Sequence, residues 1–213
     1  MSLTIYGRRN SSNVQLVMWA VHELRLDHER LDYGHGHASP QSEAFLKMNP
    51  MGKVPVIRDG EVTLFESAAI LRYLAARYGD ARFWPADPAR RGPLDMWAEW
   101  GKNTFTEVVL RIFYHDVRTP PDQRDPAYLE AAVTALIPLA GMLDTRLTGR
   151  DWIGGADFTF ADVAVGHILH RYFTLDWPRP GLPALAAYYT RLQTRPAYRD
   201  HAMVSYEALR GFY

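Results

Sequence analysis

Short apolar runs and one helical pattern alternate along the first part of the chain. Residues 3–6 (Leu-Thr-Ile-Tyr) form a short apolar run that is typical of a strand. Polar residues 7–12 predict a loop, and Asn13 is a suitable N-cap for a following helix. A second short strand is predicted over residues 29–31. Between the two strands, apolar residues at helical spacing predict a helix of about three turns: Val14, Val17, Met18, Val21 and Leu24.

A turn signal further along the chain predicts a β-hairpin. Residues 33–41 contain two glycines and a proline and predict a loop, and residues 42–47 predict a short helix. The apolar residues 54–57 and 62–64 lie on either side of Asp59-Gly60, which is typical of a tight hairpin turn. The strands of a hairpin are antiparallel, so this part of the sheet differs from the first.

A helix is predicted after the hairpin, over residues 68–78, with Gly79 as the C′ residue that closes it. The order of elements is therefore β-α-β, then a hairpin, then α. A β-α-β unit makes a parallel strand pair with a right-handed crossover, whereas the hairpin adds antiparallel strands. The pattern predicts an α/β domain over residues 1–79, with a mixed four-stranded sheet in the thioredoxin-like arrangement.

The rest of the chain shows helical patterns and no convincing strand. Residues 80–88 contain Pro85 and Pro88 and predict a linker. Beyond the linker we expect an all-α domain over residues 89–213. Apolar spacing predicts its helices over residues 94–114, 128–147, 160–173 and 184–193.

Charge and composition argue against several classes of partner. Among 213 residues, 24 Lys and Arg balance 24 Asp and Glu, so the formal net charge is zero. A general nucleic-acid binder needs surplus cations to neutralise phosphates, and polybasic docking to a membrane needs them too. No uninterrupted apolar run approaches the roughly 20 residues of a spanning helix. Arg8 and Arg9 follow the first residues directly, unlike a signal peptide, so we expect a cytoplasmic location.

Metal and cysteine chemistry are not expected. The chain contains no cysteine, which excludes disulfides, thiolate zinc sites and cysteine nucleophiles within it. His35 with His37, and His167 with His170, are histidine pairs at short spacing. Each pair offers two ligands where a metal site needs three or four, and no set of carboxylates is well placed to complete either.

Four short motifs lie at the beginnings of helices or strands. Residues 9–14 (Arg-Asn-Ser-Ser-Asn-Val) precede the first helix, residues 49–56 (Asn-Pro-Met-Gly-Lys-Val-Pro-Val) lead into the hairpin, and residues 65–70 (Phe-Glu-Ser-Ala-Ala-Ile) lead out of it. Residues 158–163 (Phe-Thr-Phe-Ala-Asp-Val) form a Thr-x-x-Asp capping box variant. Ordinary capping or turn formation explains each motif alone. Together, and over essentially the whole chain, they make it resemble the cytosolic glutathione transferases, in particular serine-type bacterial members of the theta and zeta kind.

For the first motif, the resemblance implies that a serine hydroxyl binds the sulfur of glutathione. Motif alignment favours Ser11 over Ser12, and Asn13 is a further candidate donor. A hydroxyl donor stabilises the thiolate, which is the nucleophilic form of a thiol. A thiol pKa near 8.5 would have to fall by about two units, which corresponds to roughly 2.7 kcal/mol. One charge-assisted hydrogen bond of ~1.5–3 kcal/mol, together with the positive end of the first helix, is enough.

For the second motif, the resemblance implies a cis peptide bond between Val54 and Pro55. The backbone of Val54 would then pair with the peptide backbone of glutathione, as an added strand would. A trans proline at the beginning of an edge strand is the alternative. Lys53 would reach the glycyl carboxylate of glutathione, or it would be an ordinary solvated lysine.

For the third motif, the resemblance assigns Glu66 and Ser67 to the γ-glutamyl end of glutathione. Ser67 at a helix N-terminus suits a carboxylate and Glu66 suits an ammonium group, although an ordinary helix cap has the same residues. His37 would help to hold a glutathione carboxylate. The resemblance also places three aromatic residues in an electrophile pocket, where plain core packing is the alternative: Phe105, Phe113 and Tyr114.

The activity implied by the resemblance is transfer of glutathione to a small hydrophobic electrophile. Glutathione would be a co-substrate, with no permanently bound cofactor. The chain would form a homodimer, with Trp97 and Trp100 at the dimer seam or in the domain core. A glutathione-dependent peroxidase, an isomerase similar to maleylacetoacetate isomerase, and a non-catalytic glutathione-binding or regulatory protein are the alternatives. The absence of cysteine excludes members that reduce disulfides through their own cysteine, and Asn13 stands where the isomerases carry one.

Overall fold

The computed structural model describes residues 3–211, and it confirms the mixed four-stranded sheet. The strands are β1 (Leu3–Tyr6), β2 (His28–Leu31), β3 (Val56–Asp59) and β4 (Val62–Phe65). Their spatial order is β2-β1-β3-β4, in which β1 is parallel to β2 and antiparallel to β3, and β4 is antiparallel to β3. The β-α-β unit and the hairpin therefore join along β1 and β3.

The helices of this domain are α1 (Ser12–Glu23), α2 (Glu43–Leu46) and α3 (Ser67–Tyr78), and α1 packs against α3. The prediction of Asn13 as the N-cap of α1 was wrong, because Ser11 occupies that position. Ser11 has extended backbone (φ −81, ψ 125), and its carbonyl oxygen accepts the N–H of Gln15 at 2.8 Å. The helix therefore begins directly after Ser11, and Asn13 lies in its first turn.

Two turn predictions also need correction. The hairpin turn consists of Gly60 and Glu61, because Asp59 is still paired with Val62 at the end of the strands. Gly60 has a φ of 60, which glycine adopts without steric cost. Gly79 ends α3 as its C-cap with extended backbone (φ −77, ψ 149), and not as a left-handed C′ residue.

The first helical segment after the linker is longer than predicted. Helix α4 (Pro88–Glu99) continues through a π-helical stretch, Trp100–Phe105, into α5 (Thr106–Phe113) and a second π-helical stretch, Tyr114–Arg118. The predicted bounds of 94–114 missed both ends. Asp87 caps α4 by accepting the N–H of Ala89, and a proline in the first helical position is compatible with a helix beginning at Pro88.

The remaining helices complete an all-α domain, as predicted. His167 interrupts the single helix expected over residues 160–173. Its Nδ1 lies 2.8 Å from the carbonyl oxygen of Ala164, which a continuous helix would offer to the N–H of Ile168. The helices are α6 (Pro126–Leu147), α7 (Phe160–Gly166), α8 (Leu169–Thr174), α9 (Pro183–Gln193) and α10 (Pro196–His201), with short 3-10 turns at Pro121–Gln123 and Glu207–Leu209.

Helix α6 is the one helix within residues 3–211 that is long and apolar enough to cross a membrane, with 22 residues and a mean hydropathy of 1.4. In the structure it packs against α5 and α9. Asp144 of α6 accepts the N–H of Leu185 at 2.9 Å, which joins it to the beginning of α9. We therefore interpret α6 as a packing helix of the all-α domain.

The two domains share one hydrophobic core. Trp19 of α1 is fully buried, and its ring centroid lies 4.7 Å from that of Tyr198 on α10. A side chain at Gly166 would meet the Trp19 ring at 2.9 Å, so glycine is needed for this close approach. Trp97 and Trp100 pack edge to face at 5.1 Å and contact the same core. This packing supports the domain-core alternative for the two tryptophans.

Candidate active site

The N-terminus of α1 carries the predicted thiolate-binding residues, and burial separates the two serines. Ser11 is half-buried, and its hydroxyl makes no capping hydrogen bond to the helix. Ser12 is the first residue of α1 and is only 7% exposed. The positive end of the helix dipole lies beside both residues. The structure therefore leaves the Ser11 hydroxyl available to donate to a ligand, whereas Ser12 faces the protein.

The loop before β3 has the predicted cis peptide bond between Val54 and Pro55, so that prediction is confirmed. Within residues 3–211, neither the N–H nor the carbonyl oxygen of Val54 takes part in a backbone hydrogen bond. Pro55 is buried and Val54 is half-buried. An unpaired backbone donor and acceptor on one residue can pair with an extended peptide, as strand addition does.

Asn49 holds this loop in shape, and sequence reasoning gave it no role. The side chain is 3% exposed. Its Nδ2 donates to the carbonyl oxygen of Lys53 at 2.6 Å, and its Oδ1 accepts the N–H of Met51 at 3.0 Å. An asparagine beginning a polar loop, followed by Pro50 and Gly52, was the available signal.

Glu66 and Ser67 lie at the N-terminus of α3, as the motif predicted. Glu66 has a φ of 68, a left-handed conformation that costs a non-glycine residue about 1–3 kcal/mol. Ser67 is 3% exposed, and the Glu66 side chain is exposed. Strained backbone conformations cluster at ligand-binding positions, so this outlier supports a functional role for the segment.

Lys102 of the π-helical stretch adds a cation that sequence reasoning missed. Burial lowers the pKa of Lys102, while the carboxylates of Glu66 and Glu99 act in the opposite direction. The ammonium group therefore lies in the field of Glu66, across the boundary between the two domains. No local signal in the sequence relates these two residues.

Two of the other predicted glutathione contacts lie on the surface. Lys53 is exposed and forms no ion pair in the described part of the chain. His37 is exposed in the turn after β2, where its N–H donates to the carbonyl oxygen of Gly34 at 2.8 Å. Both side chains are accessible to a ligand. Among the described residues neither forms an ion pair, although the charge of Asp32 acts on His37.

The predicted aromatic pocket residues divide into core and surface. The prediction for Phe105 is corrected, because its side chain is fully buried between Trp100 and Tyr172, at centroid distances of 5.5 and 5.7 Å. Phe113 is 2% exposed, and Tyr114 is 45% exposed. Only Tyr114 therefore presents its ring to solvent.

Arg171 of α8 connects the all-α domain to the loop before Ser11. Its Nη2 donates to the carbonyl oxygen of Asn10 at 2.9 Å, and its Cζ lies 4.0 Å above the Phe113 ring. The residue is 4% exposed, and burial lowers its pKa to about 9. The buried guanidinium group of Arg171 thus contacts the residue that directly precedes the candidate catalytic Ser11.

The side chains of the second histidine pair, His167 and His170, make protein contacts. His167 is 1% exposed and interacts with the Ala164 carbonyl, and His170 Nδ1 lies 3.2 Å from the Tyr189 hydroxyl. Within residues 3–211, no group of three or more His, Asp or Glu side chains is arranged to hold a metal ion.

The fold and site define a class of two-domain proteins, in which an α/β domain offers a helix N-terminus and an unpaired backbone segment to a peptide-like ligand. Comparison with known proteins gives the family. The family model of the glutathione S-transferase N-terminal domain matches residues 1–76, and that of the C-terminal domain matches residues 126–191. The chain belongs to the glutathione S-transferase family.

Individual relatives agree with this assignment. The chain is 38% identical over 207 residues to glutathione S-transferase GstB of Escherichia coli K12, covering 95% of this chain and 98% of that protein. It is 35% identical over 158 residues to rat glutathione S-transferase theta-1, covering 71% and 66%. The crystal structure of the theta class glutathione S-transferase from Xanthomonas axonopodis pv. citri, with glutathione bound, is similar at a TM-score of 0.91 and 37% identity, covering 96% and 98%.

Proposed function

We propose that this protein transfers glutathione to a small electrophile and that Ser11 stabilises the reacting thiolate. The observation that carries the proposal is that the Ser11 side chain at the N-terminus of α1 is half-buried and makes no capping hydrogen bond to the helix. A hydroxyl that is not used as a helix cap can donate to an anion at the position where the helix dipole also favours one. The theta class relative with glutathione bound supports this ligand.

The other motifs provide the residues that would bind the rest of the glutathione molecule. The free N–H and carbonyl of Val54 would pair with the glutathione backbone, and Lys53 would meet the glycyl carboxylate. Ser67 at the N-terminus of α3 would bind the γ-glutamyl carboxylate, and Glu66 its ammonium group. His37 is a further candidate contact with a carboxylate.

The chemistry needs no permanently bound cofactor. The glutathione thiol loses its proton to solvent, and the thiolate sulfur then attacks an electrophilic carbon and forms a carbon–sulfur bond. The leaving group departs with the electron pair of the bond that breaks. The protein's part is to lower the thiol pKa from about 8.5 towards neutrality and to hold both reactants.

We also propose a cytoplasmic homodimer, with domains over residues 1–79 and 89–213 joined by residues 80–88. Apolar side chains left exposed on the all-α domain support the dimer. Met96 is 60% exposed, Ile137 is 42% exposed and Met142 is 49% exposed. A partner covering these side chains would remove their apolar surface from water.

The test combines calorimetric titration of glutathione with the ultraviolet absorbance of bound thiolate. Wild type is expected to bind glutathione and show the thiolate band near neutral pH. Ser11→Ala should still bind but lose the band, because the thiol pKa rises by about two units. Ser12→Ala is the matched control and should keep the band.

Other results would contradict the proposal in different ways. If the band survives in Ser11→Ala, another group activates the thiol. If wild type does not bind glutathione, the protein is not a transferase of this kind. A peroxide-coupled assay beside transfer to a chloronitrobenzene distinguishes a peroxidase from a transferase.

A further inference from the structure

Three arginines from distant parts of the chain lie close enough for their charges to interact, and one of them, Arg171, contacts the loop before Ser11. Arg8 follows β1, Arg118 ends the long helical segment, and Arg171 lies on α8. In each of them the Nε atom is buried from solvent and has no hydrogen-bond acceptor. Within the described residues, none of the three forms an ion pair with a carboxylate, although twelve other ion pairs are present.

The three cations act on one another. Burial lowers the pKa of Arg8, and the positive charge of Arg118 lowers it further. Burial lowers the pKa of Arg171 as well, and the charges of Arg8 and Arg118 add to that effect. Removing a cation from water costs several kcal/mol unless an anion compensates it. Arg171 is buried and Arg8 and Arg118 are half-buried, and no carboxylate within residues 3–211 pairs with any of them, so the group favours an anionic ligand.

The position of this arginine cluster (Arg8, Arg118 and Arg171) relates it to the second substrate. Arg171 binds the Asn10 carbonyl, directly before Ser11, and covers the Phe113 ring. The Tyr114 side chain interacts electrostatically with both Arg8 and Arg171. Tyr114 is one of the three aromatic residues that the family resemblance places in an electrophile pocket, and of those three it is the exposed one. The cluster thus lies beside both the loop before Ser11 and the exposed Tyr114 ring.

We propose that the electrophile accepted by this enzyme carries a carboxylate, which Arg8 and Arg118 bind beside the buried Arg171. The inference rests on the proposed glutathione transfer and specifies its second substrate as an anionic electrophile with an apolar or aromatic body. A guanidinium group presents two parallel N–H donors that match the two oxygens of a carboxylate. The ring of Tyr114 offers the apolar part of the substrate a surface.

The carboxylate itself takes no part in bond making. With an aryl chloride, the thiolate sulfur attacks the ring carbon that bears chlorine. The carbon–sulfur bond forms, and chloride leaves with the electron pair of the carbon–chlorine bond. The carboxylate remains ionised throughout, so the arginines position the substrate and do not transfer a proton.

A second role for the cluster is general stabilisation of the thiolate by nearby positive charge. That role would favour every electrophile equally, because it acts before the second substrate reacts. A charge-matched pair of electrophiles therefore separates the two roles. A chloronitrobenzoate and the corresponding chloronitrobenzamide have the same reacting carbon and nearly the same shape, and differ in charge.

The experiment measures kcat and KM for both electrophiles at saturating glutathione. Wild type is expected to have a lower KM for the benzoate than for the benzamide. Arg118→Gln and Arg8→Gln should each raise the KM for the benzoate about tenfold to a hundredfold. This is the change in binding that corresponds to the loss of one charge-assisted hydrogen bond. The KM for the benzamide should stay within about twofold of wild type. Arg171 is left unchanged because it is almost fully buried.

Arg111→Gln is the control variant. Arg111 lies on the same helical segment as Arg118, is exposed, and pairs with Glu107 at 2.6 Å. It should leave both KM values unchanged. Added salt should raise the KM for the benzoate and not that for the benzamide.

The possible failures are distinguishable. Equal KM values for the two electrophiles in wild type, or equal effects of Arg118→Gln on both, would overturn the anionic-substrate inference while glutathione transfer stands. If wild type conjugates neither electrophile and binds no glutathione, the proposed function fails and the inference fails with it. Thermal unfolding of each variant shows whether a kinetic change reflects loss of fold.

Discussion

Glu23 at the end of α1 and Arg195 at the beginning of α10 form a bidentate ion pair. Arg195 Nε donates to Oε1 of Glu23 at 2.7 Å, and Arg195 Nη2 donates to Oε2 at 2.6 Å. The same Oε1 accepts the indole N–H of Trp19 at 2.8 Å. The guanidinium carbon lies 3.7 Å above the Phe158 ring. This pair therefore ties the end of α1 opposite Ser11 to the all-α domain.

We expect Glu23→Ala to lower the free energy of unfolding by about 2 kcal/mol, because it leaves the partly buried Arg195 without its charged acceptor. Glu23→Gln should cost less, since its amide oxygen can still accept from Trp19. Urea unfolding followed by tryptophan fluorescence measures both. The exposed pair of Lys47 and Glu43 is the control, and Glu43→Ala should change stability by less than about 0.5 kcal/mol. Equal losses at Glu23 and Glu43 would contradict the role of burial.

Asp162 is the centre of a second stabilising network. Its carboxylate accepts the N–H groups of Ile153 and Thr159, each at 2.8 Å, and the Tyr188 hydroxyl at 3.0 Å. Asp162→Asn places an amide N–H₂ against these donors, so we expect the free energy of unfolding to fall by about 3 kcal/mol. Tyr188→Phe removes one donor, and Thr159→Ala removes the cap; each should cost about 1 kcal/mol. The order of unfolding midpoints checks this prediction, and an Asp162→Asn protein as stable as Tyr188→Phe would refute it.

Acid should weaken the contact between α1 and α10 through His201. The His201 and His22 rings lie 3.6 Å apart, and burial followed by the charge of His22 lowers the pKa of His201 to about 4. The unfolded chain takes up this proton near pH 6.5, whereas the folded chain resists it. The contribution of His201 to stability is therefore fully present above pH 6.5 and is lost as the pH falls towards 4.

The measurement compares wild type with His201→Gln at about pH 7.5 and about pH 5. Over this range the free energy of unfolding of wild type should fall by up to about 2 kcal/mol more than that of the variant. The fall stays below this value to the extent that partial exposure screens the charge. Asp162 has the opposite effect on stability, because burial raises its pKa to about 6 and the folded chain therefore takes up that proton before the unfolded chain does. The comparison with His201→Gln removes this contribution, since both proteins contain Asp162. Parallel stability curves for the two proteins would show that His201 does not titrate in this way.

Asn49 should affect glutathione binding more than the chemical step. Asn49→Ala removes both side-chain hydrogen bonds that shape the loop before Pro55. We expect the KM for glutathione to rise about tenfold, the worth of one to two hydrogen bonds, with kcat changed by less than about threefold. Steady-state kinetics with varied glutathione provide the test. A fall in kcat at unchanged KM would place the role of Asn49 elsewhere.

Local signals were sufficient for most of the fold. The alternation of apolar runs around the α1 pattern predicted the mixed sheet, and Thr159 with Asp162 predicted the capping box that the structure contains. The errors have local causes as well. Ser11 rather than Asn13 caps α1, and a side-chain contact of His167 ends α7. In both places neighbouring polar groups compete for the same position, and the outcome depends on local geometry that the sequence pattern does not contain.

The sequence by itself determined the order of strands and helices and the position of each motif that we propose to bind glutathione, since these depend on residues close together in the chain. The tertiary structure alone decided which distant residues meet. It buried Phe105, placed Lys102 in the field of Glu66, and brought Arg8, Arg118 and Arg171 together. The physical reason is that periodicity encodes which face of an element is apolar, whereas the identity of its neighbours depends on how all the elements pack.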